Sequence, residues 1–195
     1  MRKATINDRK RFIDIMSESF DTNPSVNWTV KQDNKRQKRY RILASFVFKQ
    51  ALRRDAIYFS SDGEGIIIFY KYNEFKPFFI EVFERLMLTF RVVGIERMEE
   101  IVKREKYIKS KRPADGEYIY CWFLGVSKIA RGKGAAVELK DKIFAEADRL
   151  KLPVYIETTI PINMKIYNRY GFDIYHEWEV KEKGMTYWMM RREVK

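Results

Sequence analysis

Cysteine, histidine and long apolar runs are all scarce in this 195-residue chain. The single cysteine, Cys121, excludes an internal disulfide. It sits in an apolar run, reads as a small core residue and fits a reducing cytoplasm, the expected location. There is one histidine, His176, and no cluster has metal-ligand spacing, so no metal site is expected. No stretch approaches the roughly 18–20 apolar residues of a membrane span; the longest, such as Ile66–Tyr70, are strand-sized. The opening residues Met1-Arg2-Lys3-Ala4-Thr5 carry no apolar signal core. Repeats and low-complexity segments are absent.

What is present suits a packed globular chain, expected to form one domain over residues 1–195: apolar residues make up 46% and aromatics 15%. The net charge of +12 attracts anions, whether nucleic acid, an anionic membrane or a phosphate-rich cofactor. Acids are interspersed with the bases along the chain. The densest cluster, Lys35-Arg36-Gln37-Lys38-Arg39-Tyr40-Arg41, falls on a predicted helix and reads as a solvated face. Neither nucleic acid nor membrane is expected as a partner.

Spacing sets out the elements. Phe12, Ile13, Met16 and Phe20 mark a helix that Asn23-Pro24 breaks, and Tyr40, Leu43, Phe46, Val47 and Ala51 mark a second. Ala56–Phe59 and Ile66–Tyr70 flank a Gly-containing turn and predict a hairpin. Phe75–Val93 returns to helical spacing through Phe79, Val82, Phe83, Leu86 and Phe90, an aromatic stripe read as core. Gly94 interrupts it, and a polar helix continues to about Ser110. Tyr118–Val126 then reads as a strand. A Gly-rich turn leads to a helix with Ala136, Leu139, Ile143, Ala147 and Leu150 facing inward, and Val154–Thr158 is the next strand. Strand, helix, strand implies a parallel pair joined by a right-handed crossover. A short helix around Met164–Tyr170 ends at Gly171, and Phe172–Val180 and Met185–Arg191 close the chain as strands. The class is α/β with a partly parallel sheet.

The chemistry concentrates in Arg131-Gly132-Lys133-Gly134-Ala135-Ala136, between a strand and a helix. Glycines allow a tight turn and close approach of a ligand to the backbone. Free N–H groups and the dipole of the helix start favour an anion, Arg131 and Lys133 add full charges, and Ala135 and Ala136 leave room. The P-loop pattern is absent. A dinucleotide site is a rival: Gly132 and Gly134 fill its first two glycines, and Glu157 ends the next strand where a ribose-binding acid belongs. Val137 stands where its third glycine should be, however.

Arg131–Ala136 also resembles the R/Q-x-x-G-x-G/A cofactor motif of the GNAT acetyltransferase superfamily. The preceding Leu124-Gly125-Val126 is similar to the strand end that pairs with pantetheine in that family. The segment from Glu157-Thr158-Thr159-Ile160-Pro161-Ile162-Asn163 through Tyr167 to Gly171-Phe172 resembles a later motif of the family, in the form found in the puromycin N-acetyltransferase-like branch. The resemblance covers about 118–191, is looser over 3–72, and is absent from 75–110.

The resemblance implies a GNAT fold: a mixed, mostly antiparallel sheet with a central parallel pair splayed at the cofactor site and helices on both faces. It implies acetyl-CoA as cofactor, with pyrophosphate on the amides of Arg131, Gly132, Lys133, Gly134, Ala135 and Ala136. Leu124, Val126 and Asn163 would lie along pantetheine, and Tyr167 beside the sulfur as general acid. The acceptor is then a primary amine of a small molecule or peptide, attacking directly in a ternary complex, with homodimer assembly left open. Asn163 and Tyr167 have plainer readings, as a helix cap and a core aromatic. Many relatives carry a carboxylate base on the strand before the loop. Here that strand is Tyr120-Cys121-Trp122-Phe123, so Glu157 becomes the candidate base, with a structural ion pair as its alternative. His176 reads as a sheet residue. Cys121 has no histidine partner signalled and is not expected to carry an acyl group. An acyl-CoA sensor without catalysis is the other function in view.

Overall fold

A computed structural model of the chain describes residues 1–74 and 79–194, with side chains at all of these except 74 and 79–82. One sheet contains β1 (Arg2–Lys3), β2 (Ile57–Phe59), β3 (Gly65–Lys71), β4 (Ile119–Val126), β5 (Val154–Thr158), β6 (Asp173–Val180) and β7 (Met185–Arg192). Their spatial order is β1-β2-β3-β4-β5-β7-β6, and only β4 and β5 run parallel. The predicted hairpin is β2–β3, paired from Ile57 opposite Ile68 to Phe59 opposite Ile66.

Helices cover both faces, which is why β3 is apolar without alternation. Ile66 and Ile68 pack into a cluster with α1 (Arg9–Phe20) and α3 (Arg36–Arg53), around Phe12, Met16, Ala44 and Phe48. Ile67 and Phe69 pack on the other side against Leu139, Ile143 and Ala147 of α6 (Ala135–Leu150). Fully burying such a Leu or Ile is worth about 1.5–3 kcal/mol, so the sheet is clamped from both sides. A third cluster sets Trp28 of α2 (Pro24–Thr29) and Ile108 of α5 (Met98–Ser110) against Tyr187 and Met189 of β7.

Asn23-Pro24, expected only to end a helix, also starts one. Asn23 Oδ1 accepts from the Val26 N–H at 3.1 Å and Pro24 occupies the first helical position of α2. In α6 the buried residue of the first turn is Ala135 rather than Ala136, because Gly134 is the cap and the inward stripe starts one residue earlier. Within the helix read over Phe75–Val93, residues 75–78 lie outside the described ones. The rest forms α4 (Phe79–Leu88) and a π-helical turn over Thr89–Val93, closed by Gly94 at φ +90°. Of its stripe, Phe83, Leu86 and Phe90 are not core but each more than half exposed, while the side chains of Phe79 and Val82 lie outside the described ones. The reason is that Glu84 pairs with Arg53 of α3, and Leu88, on the same side of α4, packs inward. The 83/86/90 stripe therefore turns outward.

Candidate active site

β4 and β5 keep register at two positions only, Ile119 opposite Val154 and Tyr120 opposite Tyr155. Both strands continue past them, β4 to Val126 and β5 to Thr158. A wedge therefore opens beyond Tyr120, where the parallel pair was expected to splay. A β-bulge marks its root. Ile68 opposes Phe123 and Phe69 opposes Cys121, leaving Trp122 as the extra residue. Trp122 and Phe123 consequently both lie on the α1/α3 side, and Leu124 returns to the α6 side with Cys121.

Backbone alternation supplies donors to the wedge. Ser127 gives its N–H to Glu64, on the β3 side. Two residues make one strand repeat, so Leu124 and Val126 turn their peptide groups away from β3 and into the gap. Ser19 Oγ of α1 donates to the Val126 carbonyl at 2.9 Å. That leaves the Val126 N–H and the Leu124 peptide edge without a strand partner among the described residues.

The Arg131–Ala136 turn lies just beyond the end of β4 and feeds α6. Lys133 N–H bonds to Ala130, but the N–H groups of Arg131, Gly132, Gly134, Ala135 and Ala136 find no acceptor among the described residues. Gly132 and Gly134 sit at φ +76° and +95°, where a side chain is strained, and a Cβ at either would meet nothing within 4 Å. This is an open cradle of unpaired donors at a helix start, with exposed Arg131 and Lys133 beside it. Glu138, the acid of that first turn, is drawn off toward Ser61, accepting from its N–H at 3.0 Å and its Oγ at 2.5 Å. The cradle thus keeps its positive field.

α7 (Pro161–Arg169) follows β5 and carries the next two candidates. Asn163 is not the cap of this helix: Ile160 holds that position, and Asn163 sits in the first turn, half-buried, with its side-chain amide unbonded among the described residues. Tyr167 packs on the cluster that contains Cys121, with its ring 5.9 Å from that of Phe172. Burial raises its pKa above that of an ordinary tyrosine, so the phenol stays protonated. Cys121 is buried and its thiol is pushed up to about 12, first by burial and then by the charge of Glu157. A thiol held protonated is a poor nucleophile.

Glu157 lies on the opposite side of β5 from the α6 cluster, and it is engaged. Arg112 Nε donates to its Oε1 at 2.8 Å and Tyr120 OH to its Oε2 at 2.7 Å. The Arg112 guanidinium also stacks 3.9 Å over the Tyr120 ring. Around the pair stand Tyr70, Tyr72, Tyr118, Trp122, Tyr155 and Tyr175. The hydroxyls of Tyr118 and Tyr175 are buried without a hydrogen-bond partner among the described residues. Arg112 gave no signal in the sequence, since it ends a polar run like many others. Ser19 was equally silent, one polar residue on an amphipathic helix. His176 lies away from the wedge, on β6, with a ring nitrogen 3.0 Å from Tyr107 OH.

No protein-family model matches the chain. Solved structures do. The structure described as histone acetyltransferase HPA2 and related acetyltransferase from Corynebacterium glutamicum superposes with a TM-score of 0.72 at 18% identity, covering 100% of this chain and 95% of that one. Arylalkylamine N-acetyltransferase 2 from Aedes aegypti gives a TM-score of 0.69 at 17% identity, covering 100% and 98%. An N-acetyltransferase from Staphylococcus aureus Mu50 gives 0.56 at 17%, covering 100% and 97%. The puromycin-like branch rests on sequence resemblance alone, in the Glu157–Phe172 segment and the tail through Thr186-Tyr187-Trp188-Met189-Met190. Sheet order, the single parted parallel pair and these superpositions agree that the chain has the GNAT acetyltransferase fold.

Proposed function

We propose that this chain transfers an acetyl group from acetyl-CoA to a primary amine of a small molecule or peptide, by direct attack in a ternary complex. One observation carries the reading: a turn with five N–H groups unpaired among the described residues opens beside a wedge between two parallel strands. The acetyl thioester would supply an activated carbonyl with a fair leaving group, so orientation and charge stabilisation are the tasks left to the protein.

The chain's own groups divide those tasks. The amides of Arg131, Gly132, Gly134, Ala135 and Ala136, with the Lys133 side chain beside them, would hold pyrophosphate, and the edge of Leu124 and Val126, with Asn163, would align the pantetheine arm. The Val126 N–H faces the wedge and polarises an acyl oxygen there. Tyr167, kept protonated by burial, delivers a proton to the departing sulfur. Glu157 is the candidate base; it must act from within its bonds to Arg112 and Tyr120. That engagement favours a second reading, an acyl-CoA-binding sensor that performs no transfer.

Thermal shift with acetyl-CoA, NAD and an oligonucleotide tests the ligand class, because a ligand selective for the native state raises Tm. A rise with acetyl-CoA alone is expected; no rise at saturation overturns both readings. Thiol release over an amine panel then separates the enzyme from the sensor.

A further inference from the structure

The ridge of Lys35, Lys38, Arg39 and Ile42 lies on the side of α3 opposite Tyr40, Ala44, Val47 and Ala51, which face the core. With Arg91 of the π-helical turn it encloses a groove of about 500 Å³. Arg39 is held by Asp33 at 2.6 Å. Lys35, Lys38 and Arg91 are exposed and form no ion pair among the described residues. The groove is separate from the Arg131–Ala136 cradle, being on the α3 side of the sheet.

Beside Arg91 begins an apolar surface. Phe83, Leu86 and Phe90 share one face of their helical segment, and Ile95, Met98 and Val102 share one face of the next, both with i, i+3, i+7 spacing. Every acid between residues 83 and 106 is neutralised. Glu84 pairs with Arg53, Glu96 with Lys31, Glu99 with Lys103, Glu100 with Lys183 and Glu105 with Arg104. Among the described residues Arg91 and Lys106 form no ion pair and keep their charge. The surface is therefore apolar with a net basic rim and a basic groove at its edge.

We propose that this face docks on an anionic lipid surface, with headgroup phosphates in the Lys35–Arg91 groove and the exposed Phe, Leu and Ile side chains at the headgroup–acyl boundary. No described helix is long and apolar enough to cross a membrane; lying in the interface is a different arrangement and suits an apolar stripe rimmed with cations. A second copy in a two-fold contact would set like charges against each other. A nucleic acid would meet the cations but leave the apolar stripe in water. The reading of Lys35–Arg41 as a plain solvated face took in one helix only, and the groove needs Arg91 from another segment.

The test is flotation of the full chain with vesicles of phosphatidylcholine alone and of phosphatidylcholine mixed with phosphatidylglycerol. Binding to the mixed vesicles alone, weakened by salt, is expected. Lys38→Glu/Arg91→Glu should lower it about tenfold or more, and Phe90→Ser several-fold, with the acetyl-CoA thermal shift unchanged. Should the double variant misfold, Lys35→Ala/Lys38→Ala removes two exposed, unpaired side chains and should lower binding in the same direction. Absence of binding to anionic vesicles overturns the proposal, as does binding indifferent to these variants. So does sedimentation showing a dimer that Phe90→Ser dissolves, or an oligonucleotide that binds the groove, where vesicles do not bind.

Discussion

Arg112 Nε reaches Glu157 Oε1 across 2.8 Å, and both side chains are more than nine-tenths buried. The contact joins the segment after α5 to the end of β5, just beyond the last paired residues of the wedge. Truncating Arg112 to Ala would leave a carboxylate buried without its cation, a loss of about 3–5 kcal/mol. Chemical denaturation should show Arg112→Ala destabilised on that scale and Arg112→Ala/Glu157→Ala losing less than the sum of the two single variants. Strict additivity would mean the two side chains do not act as a pair.

The wedge was legible because its cause is local. A strand, a Gly-rich basic turn and a helix fix where a parallel strand begins, and the Glu157–Phe172 segment fixes where it ends. The hairpin followed in the same way from two apolar runs across a Gly-containing turn, and the last two strands from apolar runs parted by a turn near Gly184. Arg112, Tyr120 and Ser19 were not legible as site residues, because their roles come from contacts far apart in the chain: Arg112 with Glu157, Ser19 with Val126. The 83/86/90 stripe misled for a related reason. Helical spacing shows that residues share a face, but what covers that face is decided by tertiary packing, here the Glu84–Arg53 pair that turns it outward.

Tyr167 lies on α7 against Cys121 and Phe172, and burial keeps its hydroxyl protonated. Tyr167→Phe keeps the ring and removes only the hydroxyl that would supply the proton. Steady-state kinetics should show kcat reduced about 10²-fold or more, with the acetyl-CoA dissociation constant and Tm nearly unchanged. Unaltered turnover would leave the tyrosine as a packing residue.

At the cradle, Gly134→Glu places a charged side chain at φ +95° into space a Cβ would otherwise find empty. Phosphate and carboxylate would then repel at the helix start. Calorimetry should show acetyl-CoA binding abolished. Gly132→Ala, at φ +76°, should cost about 1 kcal/mol or more of stability from backbone strain alone. Normal binding by Gly134→Glu would place the phosphates elsewhere.

Acid should unfold the protein through its paired carboxyls. Hydrogen bonds from Arg2 and Arg53 hold the pKa values of Asp8 and Glu84 below the carboxylate norm, and Arg39 brings Asp33 to about 2. A carboxyl with a depressed folded pKa binds fewer protons folded than unfolded. Its contribution is complete above the unfolded value, about 4, and is lost as pH falls from there toward the folded one. Tm should be level down to about pH 5 and then drop, less steeply for Asp8→Asn. On the alkaline side the raised Tyr167 pKa predicts no loss of kcat from its ionisation below about pH 10. A basic limb well below that would assign the acid to another group.

Gly125 ties the wedge to α1. A Cβ there would stand 3.0 Å from Phe20 Cε2 and equally close to Ser19 Cβ and Oγ. Phe20 is packed edge-on against Phe123 with centroids 5.2 Å apart, so it has little room to yield. Gly125→Ala should therefore push the end of α1 off β4 and loosen the Ser19–Val126 bond that positions the wedge edge. Overpacking of this kind costs about 1–3 kcal/mol. The expected result is a lower denaturation midpoint together with weaker acetyl-CoA binding. Ser19→Ala, which removes the same hydrogen bond without the clash, should reproduce the weaker binding with a smaller loss of stability. If Ser19→Ala binds as the native chain does, the Val126 carbonyl needs no anchor, and the wedge edge is held by the β3–β4 ladder alone.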